Sequence, residues 1–346
     1  SNYSADMAEQ ILEPFSEMAA ENPAPVHDAP NIIVIMNEAF SDPAVLGNFE
    51  TNEEYMPFVH SVLNGEVENT TSGWLNVSVL GGNTANTEFE FLTGNTMAFL
   101  PQGSVPYQQY VKGEQESLAS HLKTLGYQTI AMHPYNSTGW DRNKVYPLLG
   151  FDKMYFIKDY SSPEKIRKYV SDRACYDKII ELYEEKPKDT PFFIFNVTMQ
   201  NHSSYSEEFD NFTPDITVTD SNSKTLNNYL SLMKISDEAL EYLIDYFSTV
   251  EEDTVVIFFG DHQPTNSVVS NIWKLNGNEL SEEDEAKRYK VPLIIWSNFD
   301  TGITTDFETS TNFLASRVLE LSKLPLYDYS MYLKRLSENY PVVTSM

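Results

Sequence analysis

Asn31-Ile32-Ile33-Val34-Ile35-Met36-Asn37 is the stretch that decides the fold. Its five consecutive apolar residues, four of them β-branched, are too short for a buried helix and show no polar alternation. That is the mark of a strand covered on both faces. Apolar runs of the same kind recur at Gln128–Met132, Lys153–Ile157, Pro191–Thr198, Thr254–Phe259 and Pro292–Trp296. Helical patterns lie between them at Ser117–Leu125, closed by Gly126, at Tyr176–Glu185 and at Leu226–Phe247. The alternation predicts an α/β fold with a mostly parallel central sheet flanked by helices.

Working outward, Ala5–Ala20 has a weak helical pattern and runs into Glu21-Asn22-Pro23-Ala24-Pro25, a stiff linker. Residues 1–30 therefore read as an N-terminal helix and linker, and 31–265 as the α/β catalytic domain. Residues 266–346 read as the C-terminal part of the fold, with a small C-terminal subdomain packing on the sheet. Within that part, Glu279–Lys290 is a charged run expected as a solvated helix or loop, and Thr311–Leu321 is helical. Ser206–Ser223 reads as a polar surface excursion at the mouth of a site.

At 346 residues and 41% hydrophobic, the chain can bury a large core. Its longest apolar runs fall far short of the ~18 residues a membrane span needs. A net charge of −28 argues against nucleic acid as a partner, because the long-range field repels it, while screening leaves local patches free to act. The single cysteine, Cys175, rules out an internal disulfide and a cysteine-based zinc cluster.

In parallel α/β sheets, ligands bind beyond the carboxyl ends of the strands. Glu38, His133, His202 and the pair Asp261-His262 each follow the end of an apolar run, and these include three of the six histidines. Glu38 and Asp261 are hard oxygen ligands and His262 adds a nitrogen, a set that suits Mn²⁺ or Zn²⁺ better than Ca²⁺. A threonine hydroxyl completes it: Asn83-Thr84-Ala85-Asn86-Thr87-Glu88-Phe89, behind Gly81-Gly82, reads as the start of a helix. Thr84 or Thr87 at that point can face a phosphate across the helix N-terminus, although threonine at a helix start is by itself ordinary capping chemistry. A bound cation lowers the pKa of such a hydroxyl and makes it a usable nucleophile. His133 and His202, outside the ligand set, are then free to move a proton or hold phosphate.

Four motifs in this order carry a resemblance: Asn37-Glu38-Ala39-Phe40, Gly82-Asn83-Thr84-Ala85-Asn86-Thr87-Glu88-Phe89, Asn201-His202 and Gly260-Asp261-His262-Gln263-Pro264. Together they resemble the extracellular catalytic domain of lipoteichoic acid synthases and related phosphoglycerol transferases, in the alkaline phosphatase and sulfatase superfamily. The resemblance implies Glu38, Thr84, Asp261 and His262 as ligands of one divalent cation, Mn²⁺ first with Mg²⁺ or Zn²⁺ as alternatives. It implies Thr84 as the covalent nucleophile and His202 as the residue that contacts substrate and handles the leaving-group proton. It also implies His133, Trp140 and Arg142 as a headgroup site. The partners implied are a membrane phospholipid headgroup and a glycan or polymer acceptor, on the extracellular face of a bacterial membrane, with a membrane anchor upstream. A phosphodiesterase, a phosphomonoesterase and a phosphoethanolamine-type transferase are the alternatives within the superfamily. The sulfatase signature of Cys or Ser followed by Pro and Arg is absent around Thr84, so a formylglycine nucleophile cannot be made there.

Overall fold

Asn31–Asn37 forms the strand β1 at the heart of an eight-stranded sheet, with no residue of it more than 1% exposed. The structure, a computed structural model, describes residues 4–20, 29–277 and 281–345. The expected linker Glu21–Pro25 lies outside the described residues. The other strands are β2 (Thr70–Asn76), β3 (Gln128–His133), β4 (Lys153–Phe156), β5 (Lys165–Ile166), β6 (Tyr169–Val170), β7 (Phe192–Val197), β8 (Thr254–Gly260), β9 (Lys290–Ser297) and β10 (Ile303–Ser310). The first six helices are α1 (Ala5–Ala20), α2 (Pro57–Leu63), α3 (Thr84–Thr93), α4 (Pro106–Gln109), α5 (Leu118–Thr124) and α6 (Arg142–Leu148). The remainder are α7 (Asp172–Glu185), α8 (Lys224–Ser248), α9 (Asn266–Leu275), α10 (Glu282–Ala286), α11 (Thr311–Leu321) and α12 (Asp328–Ser337).

The sheet order is β10-β2-β9-β8-β1-β7-β3-β4, and β5-β6 form a separate hairpin. β8, β1, β7, β3 and β4 run parallel, β9 is antiparallel to both its neighbours, and β2 and β10 are parallel to each other. Successive residues of β1 point to opposite faces. Ile33 and Ile35 join a core with residues of α2, α7, α8 and α9, while Ile32, Val34 and Met36 join one with residues of α3, α5, α6 and α11. Burying such side chains contributes about 1.5–3 kcal/mol each. A strand with apolar residues on both faces is therefore fixed at the centre.

The six apolar runs and the main helical patterns fall where the sequence puts them, but β2 and β10 have no apolar signature. β2 is nonetheless almost wholly buried. Its hydroxyls are satisfied nearby, Thr70 Oγ1 donating to Val67 O at 2.8 Å and Ser72 Oγ to Val62 O at 3.1 Å. Gly73 lets β10 approach, since a Cβ there would lie 2.0 Å from the Phe307 carbonyl oxygen. Residues 266–346 thus add β9 and β10 to the main sheet, and the sheet continues across the 265/266 boundary. Beyond it, α11 packs on α3 and α12, and α12 packs on α1. The described part of the charged run contains the short helix α10, capped by Ser281. Ser206–Ser223 forms no helix or strand, yet it buries Phe212, Ile216 and Val218 in the core shared with α8. No helix of the described residues is long and apolar enough to cross a membrane.

Just after β1, Asp42 gathers a polar cluster. Tyr55 Oη donates to its Oδ1 at 2.5 Å, His60 Nε2 lies 3.2 Å from its Oδ2, and His60 Nδ1 lies 2.7 Å from Glu54 Oε1. Partial burial works against the His60 charge, but Asp42 and then Glu54 outweigh it and push the imidazole up to about 9. A histidine whose folded pKa is raised contributes stability that is full below its unfolded pKa of about 6.5 and lost as pH rises through the folded value. The melting temperature should therefore fall from pH 6.5 to above 9, and this part of the fall should disappear in His60→Gln. Superimposable pH–Tm curves for the two proteins would remove His60 from this role.

Candidate active site

The parallel register pairs Asn37 at the end of β1 with Gly260 at the end of β8. Glu38 and Asp261 consequently leave the sheet side by side. Gly260 is required here, because a Cβ would lie 1.9 Å from the Phe40 carbonyl oxygen. The turn after β1 takes Ala39 to φ 49°, from where its N–H donates to Asp261 Oδ1 at 2.7 Å. Glu38 N–H donates to Thr198 Oγ1 at 3.1 Å, tying in the end of β7.

Glu38, Asp261 and His262 each offer one ligand atom, and these atoms lie within 4.8 Å of one another in a buried setting. His262 Nδ1 is 2.8 Å from the Gln263 carbonyl, which can only accept, so Nδ1 carries the proton. Nε2 is then a lone pair, 3.1 Å from Asp261 Oδ2 and 3.8 Å from Glu38 Oε1. Neither Nε2 nor Asp261 Oδ2 has a hydrogen-bond partner, although both are buried. Burial pushes the Glu38 carboxyl well up, the Asp261 carboxylate adds to this, and Arg142 and the Thr84 hydroxyl pull it back. Buried lone pairs facing one another without donors are costly unless a positive charge sits among them. The donor set fits a divalent cation held by oxygen and one imidazole.

The glycine turn is tied to the same loop, with Gly81 N–H donating to Gln263 O at 3.2 Å. Asn83 takes a left-handed conformation without capping α3 through its side chain. The first N–H groups of a helix lack intrahelical partners. Thr87 Oγ1 donates to Asp261 O at 2.8 Å and is thereby committed to structure. Thr84, the first residue of α3, instead places its hydroxyl against the Glu38 carboxyl and lines the cavity. Of the two threonines considered from sequence, the geometry leaves Thr84 available.

That cavity, about 200 Å³, is also lined by Glu38, His133, Trp140, Arg142, His202 and His262. With Asp261 against His262, every residue singled out from the sequence meets around it. His133 Nδ1 lies 2.9 Å from Val197 O, and burial, with the nearby Arg142 charge, pushes this imidazole well down. Its neutral Nε2 is left as an acceptor. Trp140 and Asp141 both adopt left-handed backbone, at φ 55° and 58°. Each such non-glycine residue costs on the order of 1–2 kcal/mol. The turn they make leaves Trp140 lining the cavity ahead of α6.

Arg142 is 3% exposed and is gripped by Glu88, which is fully buried on α3. Nε donates to Glu88 Oε1 at 3.0 Å, Nη2 donates to the same oxygen, and Tyr146 Oη donates to Oε2 at 2.9 Å. The side fork of the guanidinium, Nε and Nη2, is thus engaged, and Arg142 lines the cavity. Sequence reading missed Tyr205 and Met199 in the cavity wall and Glu88 behind Arg142. The available signal for Glu88 was its position one helical turn after Thr84, on the same face of α3.

A family model described as Sulfatase matches residues 30–324. A candidate cyclic β-1,2-glucan modification protein of Rhizobium meliloti (strain 1021) is 31% identical over 323 residues, 91% of this chain and 49% of the relative. Lipoteichoic acid synthase of Staphylococcus aureus (strain USA300) is 29% identical over 264 residues, 72% of this chain and 38% of the relative. The chain spans half or less of the length of these curated relatives. Among solved structures, the Streptococcus pyogenes phosphoglycerol transferase GacH in complex with sn-glycerol-1-phosphate matches with a TM-score of 0.79 at 22% identity, over 98% of this chain and 87% of that one. The lipoteichoic acid synthase LtaP from Listeria monocytogenes matches with a TM-score of 0.65 at 19% identity, over 90% and 78% of the two chains. These likenesses bear out the expected α/β fold, and the family model, matching most of the sequence, shows that the chain belongs to the sulfatase family.

Proposed function

We propose that this chain is the catalytic domain of a metal-dependent transferase that moves a phosphoglycerol group from a phosphatidylglycerol-type headgroup to a hydroxyl of a glycan or polymer. The observation that carries the reading is the meeting of Thr84 with the buried Glu38–Asp261–His262 set in a cavity shared with Trp140, Arg142, His133 and His202. Glu38, Thr84, Asp261 and His262 would hold the cation, Mn²⁺ first with Mg²⁺ or Zn²⁺ as alternatives. Bound there, it lowers the pKa of the threonine hydroxyl and draws charge from a phosphoryl oxygen.

The chain's own residues do the rest. Thr84 Oγ attacks phosphorus, and the bond from phosphorus to the lipid glycerol breaks. The N-terminus of α3 and Arg142 favour the phosphate oxygens. Trp140 offers a flat wall to the glycerol carbons, and neutral His133 accepts from a glycerol hydroxyl through Nε2. His202 Nε2 takes the proton that Thr84 gives up and, because burial pushes this imidazole down, passes it readily to the departing lipid alkoxide. The same nitrogen then takes the proton of the acceptor hydroxyl as that hydroxyl attacks the phosphothreonine, and returns it to Thr84 Oγ as the phosphorus–Oγ bond breaks.

We assign the domain to the outer face of a bacterial cytoplasmic membrane, carried by an anchor upstream. The similarity to a glucan-modification relative makes a neutral glycan the first acceptor class to test.

Thr84→Ala should lower transfer at least about a thousandfold, as expected for loss of a covalent nucleophile. It should also abolish the phosphoglycerol adduct seen by intact mass after brief exposure to donor lipid, with Tm unchanged. Full activity in that variant would overturn the assignment. Chelation should stop turnover and Mn²⁺ restore it. Added to stripped protein at about 100 times its Kd, the ion should stabilise the fold by about 2.7 kcal/mol, a gain missing in Asp261→Asn. Undiminished turnover without metal would refute the cofactor. With donor lipid and a soluble glycan, phosphoglycerol should appear on the glycan; free glycerol phosphate alone would mean a hydrolase, and transfer from phosphatidylethanolamine in preference would reassign the headgroup.

A further inference from the structure

Arg167 is 5% exposed and forms no salt bridge among the described residues. Its guanidinium goes instead to the loop that carries His202. Nη1 donates to Ser204 O at 2.7 Å, and Nη2 donates to Gln200 O at 2.7 Å and His202 O at 2.8 Å. The rings of Tyr169 and Tyr205 lie 5.7 and 5.6 Å from the guanidinium carbon. Arg167 occupies the turn of the β5–β6 hairpin at φ 57°. Asn211 Nδ2 braces that turn, donating to Lys165 O at 2.9 Å and Arg167 O at 3.0 Å.

The same hairpin reaches the imidazole itself. Tyr169 Oη lies 3.2 Å from His202 Nδ1, and the two rings are 5.4 Å apart. Ser203 O, between two of the carbonyls that Arg167 holds, lies 2.9 Å from the same nitrogen. A carbonyl can only accept, so Nδ1 bears the proton and Nε2 is the lone pair. Three converging carbonyls need several donors from one direction, and a guanidinium supplies five in a plane where an ammonium supplies three from a point.

We propose that the β5–β6 hairpin is the positioning element of His202: Arg167 holds Gln200–Ser204 by its carbonyls and Tyr169 brackets Nδ1, keeping the ring as the Nδ1–H tautomer with Nε2 free for the reaction. The proposal rests on the reading of His202 as the proton carrier. Arg167 and Tyr169 act through His202 and are positioning residues, distinct from the groups that hold the cation. Removing Arg167 leaves three carbonyls to find other partners, and the loop then releases Ser203 O from Nδ1 and lets the tautomers mix. Outer-shell partners of this kind are worth about 10–100-fold in activity.

The test is ¹⁵N-histidine NMR of the whole chain, with His202 assigned by its loss in His202→Asn, alongside transfer kinetics. Wild type should show His202 as Nδ1–H. Arg167→Gln should show mixed tautomers and a kcat about 10–100-fold lower, with donor KM changed less than about threefold. Arg167→Lys should recover part of both, and Tyr169→Phe should keep the tautomer with a smaller fall in kcat. A wild-type Nε2–H tautomer would overturn the proposal. So would Arg167→Gln with tautomer and kcat unchanged, or kcat losses that follow Tm alone with the tautomer intact. Should Arg167→Gln fail to fold, Arg167→Lys and Tyr169→Phe decide on the same readouts. The NMR arm needs no turnover, so a tautomer shift in a chain without transferase activity would sink the functional reading and leave the positioning one standing.

Discussion

Two strands in parallel register create an electrostatic problem that the rest of the site answers. β1 and β8 end level, Asn37 against Gly260, and the residues that follow are both acids. Side by side and buried, Glu38 and Asp261 cannot both carry charge without compensation, and the His262 lone pair is directed among them. Arg142 is the nearby fixed positive charge, but Glu88 already engages it. A cation is the species that satisfies the three ligand atoms together, and its place adjoins the Thr84 hydroxyl. The geometry of the sheet therefore precedes the chemistry: the acids meet because the strands are buried on both faces and cannot slip without exposing apolar side chains.

How much was legible beforehand follows from the same distinction. β1, β7 and β8 could be read because an uninterrupted apolar run has few other uses, and the polar residues at their ends were then readable as a site. β2 was hidden because buried hydroxyls satisfied by nearby carbonyls look like loop chemistry in sequence, and β10 because Ile303 to Glu308 are exposed or half-buried and carry no apolar run. The choice between Thr84 and Thr87 was open for a similar reason. Both stand at the start of one helix, and only the hydrogen bond from Thr87 to Asp261 O separates them. Glu88 carried only the signal of its place one turn after Thr84, and Arg167 carried none, because their partners lie 54 and 33–37 residues away. In the C-terminal part of the fold, Pro292–Trp296 was legible as the last apolar strand, and it lies beside β8, whereas β10, beyond β2, had no such run.

The proposed action on anionic headgroups looks contradictory at first for a chain of net charge −28. Screening resolves it, since at physiological ionic strength surface charges act over about 8 Å. Within that range the cavity is governed by Arg142, by the N-terminus of α3 and by the charge of any cation among Glu38, Asp261 and His262. Burial disfavours the charged form of both His133 and His202. The attraction for phosphate is therefore concentrated at one point, next to Thr84. An acidic exterior around a cationic pocket favours a ligand that brings one phosphate on a small neutral body and disfavours polyanions, whose remaining charges would face the repelling surface. By that argument the acceptor side of the proposed reaction suits a neutral glycan hydroxyl better than a chain already dense in phosphate.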